Sequence, residues 1–150
     1  MVFCDSRHWA CYHNMCLLSP AQAVTLGIGL VITICACYHQ PRPIYDTSSF
    51  RQVLFDNVSR LLEDASTVSV LTGDLNKLNT DQLQTQLGLV QIVNNPTHNN
   101  NILDVFITNR QDLFDVQSGQ SLIKTEHKAS IVNSRIDCNA AKQRTPRRRV

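Results

Sequence analysis

The stretch STVSVLTGDLNKLN, residues 66–79, decides how the rest of the chain is read. A β-branched run from Val68 to Thr72 leads directly into Gly73-Asp74-Leu75-Asn76. Such a run, bounded by turn residues, reads as a short buried strand. Its end admits two readings. Gly, Asp and Asn are turn formers for local backbone reasons, and a carboxylate followed two residues on by a carboxamide is also a way to furnish a polar site. On an extended strand end, Asp74 and Asn76 at i, i+2 are expected to point the same way.

Strands and helices alternate on either side of this stretch. Residues 50–65, FRQVLFDNVSRLLEDA, carry Phe50, Val53, Leu54, Val58, Leu61 and Leu62 at three- to four-residue spacing, the pattern of an amphipathic helix. Ser48 or Ser49 is placed to cap it. Downstream, Asn79 or Thr80 can cap a second helix carrying Leu83 and Leu87, with Gly88 as its stop. Residues 89–93 read as a strand, NNPTHNNN as a polar loop and ILDVFITN as a further strand. A weaker strand is expected over residues 114–116 and another in ASIVN after His127. Short loops join these elements, which indicates an α/β layered architecture.

Composition bounds the possibilities. The chain has 150 residues, enough to bury one ordinary core, and a net charge of +2, which excludes a uniformly basic nucleic-acid sponge. Basic charge concentrates in AKQRTPRRRV, where Lys142, Arg144, Arg147, Arg148 and Arg149 have no acidic neighbour. Residues 136–150 are therefore expected to form a disordered basic tail, with contact to phosphates as the functional alternative. Cys35 and Cys37 share one face of a strand and suit buried thiols rather than a mutual bridge.

The N-terminal CDSRHWACYHNMC holds Cys4, His8, Cys11, His13 and Cys16 without the intervening loop that structural zinc sites use. Residues 1–30 are expected to be an irregular leader. Residues 21–38 are apolar and uncharged, at the lower limit for a bilayer span. Gln22, two threonines, two glycines and a β-branched second half favour a buried strand with an apolar lead-in over a membrane anchor. No basic n-region with a cleavage site is recognisable, which ranks a nuclear or cytoplasmic location above a secreted or membrane one without fixing the compartment.

Two further residues carry chemistry. If residues 102–109 are a strand, Asp104 shares a face with Ile102 and Phe106, while Leu103, Val105 and Ile107 line the other. A carboxylate in such surroundings requires a donor or a cation. His127, in TEHKA, is the candidate partner, since an imidazole oriented by a carboxylate is a standard general base or electrophilic stabiliser near neutral pH.

Taken in order, the tyrosine-ended strand at Tyr38, the helix, GDLN, QIVNNPT, ILDVFITN and TEHKA resemble the endonuclease/exonuclease/phosphatase superfamily. Within it they are most similar to the apurinic-type endonuclease domain of non-LTR (LINE-type) retrotransposons, over residues 31–133. The resemblance implies a layered sandwich of mixed sheets with flanking helices, here a partial domain over residues 31–135 whose N-terminal half is missing.

The resemblance also implies roles. Tyr38 would approach the scissile phosphate, Asp74 would orient the attacking water, and Asn76 would hold that assembly. Asp104 would pair with the catalytic His127, Glu126 would be a metal carboxylate, and Thr97 and His98 would bind substrate. The implied cofactor is Mg²⁺ or Mn²⁺ and the implied partner is DNA, with a second chain supplying the missing half as a further possibility. Metal binding is expected to be impaired. The only glutamates are Glu63 and Glu126, so the glutamate that the family's first half contributes has no counterpart before Tyr38. Glu126 also stands where the family has aspartate, and one methylene exceeds the roughly 0.5 Å that a functional constellation tolerates. The expected function is thus a retrotransposon-type endonuclease fragment of weak or no activity. The alternatives are a non-catalytic nucleic-acid-binding or membrane-anchored remnant, and a phosphatase-type relative acting on a small phosphoester.

Overall fold

Strand β3, Thr67–Asp74, lies at the centre of a five-stranded mixed sheet. The computed structural model describes residues 22–25, 30–121 and 125–136. The cysteine/histidine cluster at Cys4–Cys16 and the basic tail at Arg147–Arg149 lie outside these residues. Strands β1 (Gln22–Thr25) and β2 (Val31–Ala36) pair antiparallel. The helix α1 (Thr47–Leu61) connects β2 to β3, which run parallel, as a helical crossover allows. After α2 (Asp81–Leu87) come β4 (Val90–Gln91) and β5 (Asp104–Thr108), which complete the order β1-β2-β3-β5-β4. A 3₁₀ turn, Gln111–Leu113, leads to β6 (Phe114–Gly119), which pairs antiparallel with β7 (Ala129–Ser134) in a separate two-stranded sheet. The protein is thus mixed α/β, with a mixed sheet, two helices and no closed barrel among the described residues.

The sheet buries its two faces differently. On one, Phe50, Leu54 and Val58 of α1 and Leu83 of α2 pack on Cys35, Leu71 and Ile107. Each fully buried side chain of this kind contributes about 1.5–3 kcal/mol. On the other, Val68, Val70 and Phe106 meet Phe114 and Val132 of the hairpin, with the Phe106 and Phe114 rings edge-on at 5.1 Å. That cover is partial: Ile34, on the same face, remains 38 % exposed. As expected from the alternation, Phe106 points to one core and Ile107 to the other.

Local details depart from the sequence reading in three places. The N-cap of α1 is Asp46, not Ser48 or Ser49. Its carboxylate accepts from the Ser49 amide and from both serine hydroxyls, so the serines are donors to the cap. The strand expected over residues 89–93 shrinks to Val90–Gln91, because the Gln91 side-chain Oε1, rather than a backbone carbonyl, takes the Phe106 amide. The strands expected near residues 114–116 and 129–133 are longer and pair with each other. The second helix matches: Thr80 precedes it, and Gly88 ends it at φ 64°, a left-handed conformation suited to glycine. Cys35 and Cys37 are both buried, and burial pushes the Cys35 thiol up to about 11. No helix among the described residues is long and apolar enough to cross a membrane; in the apolar stretch, residues 31–36 are strand.

Candidate metal site

The end of β3 is built around a close backbone approach. The parallel pairing with β2 continues past its last residue: the Cys37 amide donates to the Thr72 carbonyl (2.8 Å) and the His39 amide to the Asp74 carbonyl (2.9 Å). Gly73 sits at φ 134°, and a Cβ placed there would lie 1.9 Å from the Cys37 carbonyl oxygen. Only glycine fits this conformation and this contact. Beyond it the strand stops rather than running on. Asn76 is left-handed at φ 50°, its amide donates to Asp74 Oδ1 (3.0 Å), and its Nδ2 donates to the His39 carbonyl (2.6 Å). The expectation that Asp74 and Asn76 project together from an extended strand is therefore overturned. Asn76 closes an Asx-type turn onto β2, and Asp74 alone points from the strand into the site.

Asp74 stands directly opposite Asp104 in the β3–β5 register. Asp74 turns its carbonyl toward β2, so this is a non-hydrogen-bonded pair, the kind in which opposing side chains lie closest. Two like charges in that position repel. Among the described residues, no lysine or arginine forms an ion pair with either carboxylate. The group that does arrive is the His127 imidazole, whose Nδ1 lies 2.8 Å from Asp104 Oδ2. One ligand atom each from Asp74, Asp104 and His127 falls within 4.8 Å of the others. Two carboxylates and an imidazole converging at this range fit a divalent cation, with water completing its shell.

Thr97 brings the two halves of the site together. It is 1 % exposed, and its hydroxyl accepts from the amides of Leu103 (3.0 Å) and Asp104 (3.1 Å). Its carbonyl accepts from the Lys128 amide (2.6 Å), next to His127. Thr97, a substrate residue by resemblance, fixes the start of β5 and the loop before β7. His98 lies on the surface of this joint, its ring 4.7 Å from that of His127, with its Nε2 3.9 Å from a Glu126 oxygen. Glu126 is strongly exposed and is not one of the three converging groups. Tyr38 is also exposed, on the continuation of β2; alternation from the buried Cys35 and Cys37 puts it on the face of Asp74. Beside the triad a cleft of about 260 Å³ opens between β5 and β7, walled in part by Phe106, Lys128, Ser130 and Val132.

His39 escaped the sequence reading altogether. Its ring is buried among Tyr45 and Phe50, and neither ring nitrogen has a hydrogen-bond partner. Burial holds its pKa below the ordinary 6.5, aided by the Arg51 charge and opposed by Asp74. Its only signal was position, next to the tyrosine that ends the strand extension. No family model and no curated protein matches the chain.

Proposed function

We propose that residues 31–135 carry part of a layered endonuclease/exonuclease/phosphatase-type fold, of the apurinic-type endonuclease kind found in non-LTR retrotransposons. Its site is directed at a DNA phosphodiester, with weak or no turnover from this chain alone. The observation that carries the proposal is the convergence of Asp74, Asp104 and His127 at the ends of β3 and β5. A strand-end carboxylate beside an Asp–His pair is what positioned-water hydrolysis of a phosphoester uses.

In this reading Asp104 sets the orientation of the His127 imidazole through its Nδ1, leaving the other ring nitrogen for a phosphate oxygen. Asp74 orients the attacking water. Asn76 acts indirectly, by clamping the turn to His39 so that Asp74 keeps its direction. Mg²⁺, held by the Asp74 and Asp104 carboxylates, would supply charge to the non-bridging phosphate oxygens. Weak turnover follows from the donor set, since among the described residues no glutamate joins the two aspartates. Arg147, Arg148 and Arg149 supply phosphate contacts outside the site.

The test is nicking of supercoiled plasmid with Mg²⁺, alongside binding of the same plasmid over a salt series. The expected result is salt-sensitive binding with a trace or absent nicking rate, any trace being lost in Asp74→Ala and His127→Ala. Robust nicking indifferent to both substitutions, or no binding even at low salt, overturns the proposal.

A further inference from the structure

The donor set of this site includes a nitrogen ligand that Mg²⁺ held by the two carboxylates leaves unused. Mg²⁺ requires near-ideal octahedral oxygen coordination and gains little from imidazole. Zinc-class ions accept three protein ligands of mixed nitrogen and oxygen, with a water in the open position. Here one of the three converging side chains is an imidazole, against two carboxylates. A second imidazole lies beside it, since the His98 ring is 4.7 Å from that of His127. The Nδ1 of His98 is buried without a hydrogen-bond partner, and its Nε2 is 3.9 Å from a Glu126 oxygen. The neighbourhood is therefore rich in nitrogen, and the directly opposed Asp74 and Asp104 add two carboxylates that no lysine or arginine among the described residues pairs with.

We propose that Asp74, Asp104 and His127 form a zinc-selective site, and that a zinc ion bound there silences the phosphoester site by withdrawing His127. This rests on the function proposed above for the same residues. The reasoning is competitive. An ion held by oxygen alone leaves the imidazole free to meet a phosphate, whereas an ion that binds nitrogen occupies it. For the late first-row divalent ions affinity at a mixed nitrogen/oxygen site rises well above that of Mg²⁺, so zinc wins at far lower concentration.

A second zinc-binding candidate has to be removed before this is measured. Cys4, His8, Cys11, His13 and Cys16 lie outside the described residues, and thiolates bind zinc avidly. The experiment therefore uses the full chain carrying Cys4→Ser, Cys11→Ser and Cys16→Ser. Zinc is titrated in competition with a chromogenic chelator, Mg²⁺ affinity is read by its displacement of zinc, and circular dichroism checks each variant's fold. The expected result is one zinc site at least about 100-fold tighter than for Mg²⁺. In that background His127→Gln lowers zinc affinity by about 10-fold or more and leaves Mg²⁺ affinity within about threefold, whereas Asp74→Asn lowers both. Cobalt substituted for zinc shows an absorption band that His127→Gln shifts. Equal affinity for the two ions, or zinc affinity untouched by His127→Gln in a folded variant, overturns the inference. Failure of the plasmid assay with this zinc behaviour intact would count against the proposed function only. Nicking in Mg²⁺ without zinc preference would count against the zinc site only.

Discussion

The two faces of the central sheet are built to different standards. Two helices seal one face, and its core residues Phe50, Leu54, Leu71 and Ile107 are almost completely buried. The other is covered by a single two-stranded hairpin, which leaves Ile34 exposed. Asp74 and Asp104 belong to this thin face, and His127 reaches them from the loop just before the hairpin's second strand. The contrast separates stability from chemistry. The sealed face supplies the burial that offsets chain entropy, and the thin face supplies an accessible pair of carboxylates. A two-stranded ribbon is marginal on its own, so the His127 side of the site is held chiefly by the Thr97 joint and by packing of Phe114 and Val132.

The sharpest way to break this division is at the point where both faces depend on one residue. Gly73→Ala is expected to be the most damaging single substitution in the molecule. It forces an alanine to φ 134° and drives its Cβ into the Cys37 carbonyl. The cost is about 4 kcal/mol or more, read as a collapse of the urea midpoint, and a variant of near-wild-type stability would show that β2 and β3 are not so apposed. Next in size is a paired comparison of the faces. Phe50→Ala is expected to cost about 3–5 kcal/mol, because its site is sealed and cannot collapse. Val132→Ala, on the hairpin, removes fewer atoms from a half-covered surface and is expected to cost about 1 kcal/mol. Equal losses in the two would mean that the hairpin face is packed as tightly as the helical one.

The sequence announced the sealed face more clearly than the thin one. The three- to four-residue spacing around Leu54 identified α1, since a helix must present one apolar stripe to a core. Gly88 marked the end of α2 because few other residues adopt a left-handed φ cheaply. The individual residues Asp74, Asp104 and His127 were also legible, as polar groups at the ends of apolar runs. What could not be read was how they are joined. The cross-strand opposition of Asp74 and Asp104 depends on register between strands about 30 residues apart, and periodicity within each strand does not set it. Thr97, in a polar loop, looked like a surface residue that meets substrate, yet it is buried to its hydroxyl. The left-handed turn at Asn76 was hidden for a related reason: Asn serves an extended end and a turn equally well, and the His39 carbonyl decides between them.

His39 offers the smallest and most selective test of the coupling between the faces. Its ring packs against Tyr45 and Phe50 toward the sealed core, while its backbone is bonded to Asp74 and Asn76 at the site. Burial, the largest cause, lowers its pKa from 6.5 in the folded chain. The unfolded chain therefore binds the proton more readily, and the sign follows: this contribution is fully present above pH 6.5 and is lost as pH falls through that value toward the folded pKa. Other histidines and the carboxylates add slopes of their own, so the measurement is a difference. Urea midpoints of the wild type and His39→Phe are compared at about pH 7.5 and about pH 5.5. The substitution keeps a ring between Tyr45 and Phe50 and removes both unpartnered nitrogens. The wild type is expected to lose more stability on acidification than the variant. Parallel slopes would mean that the His39 proton is taken up without disturbing the fold, and that the clamp at the end of β3 is independent of the ring that anchors it.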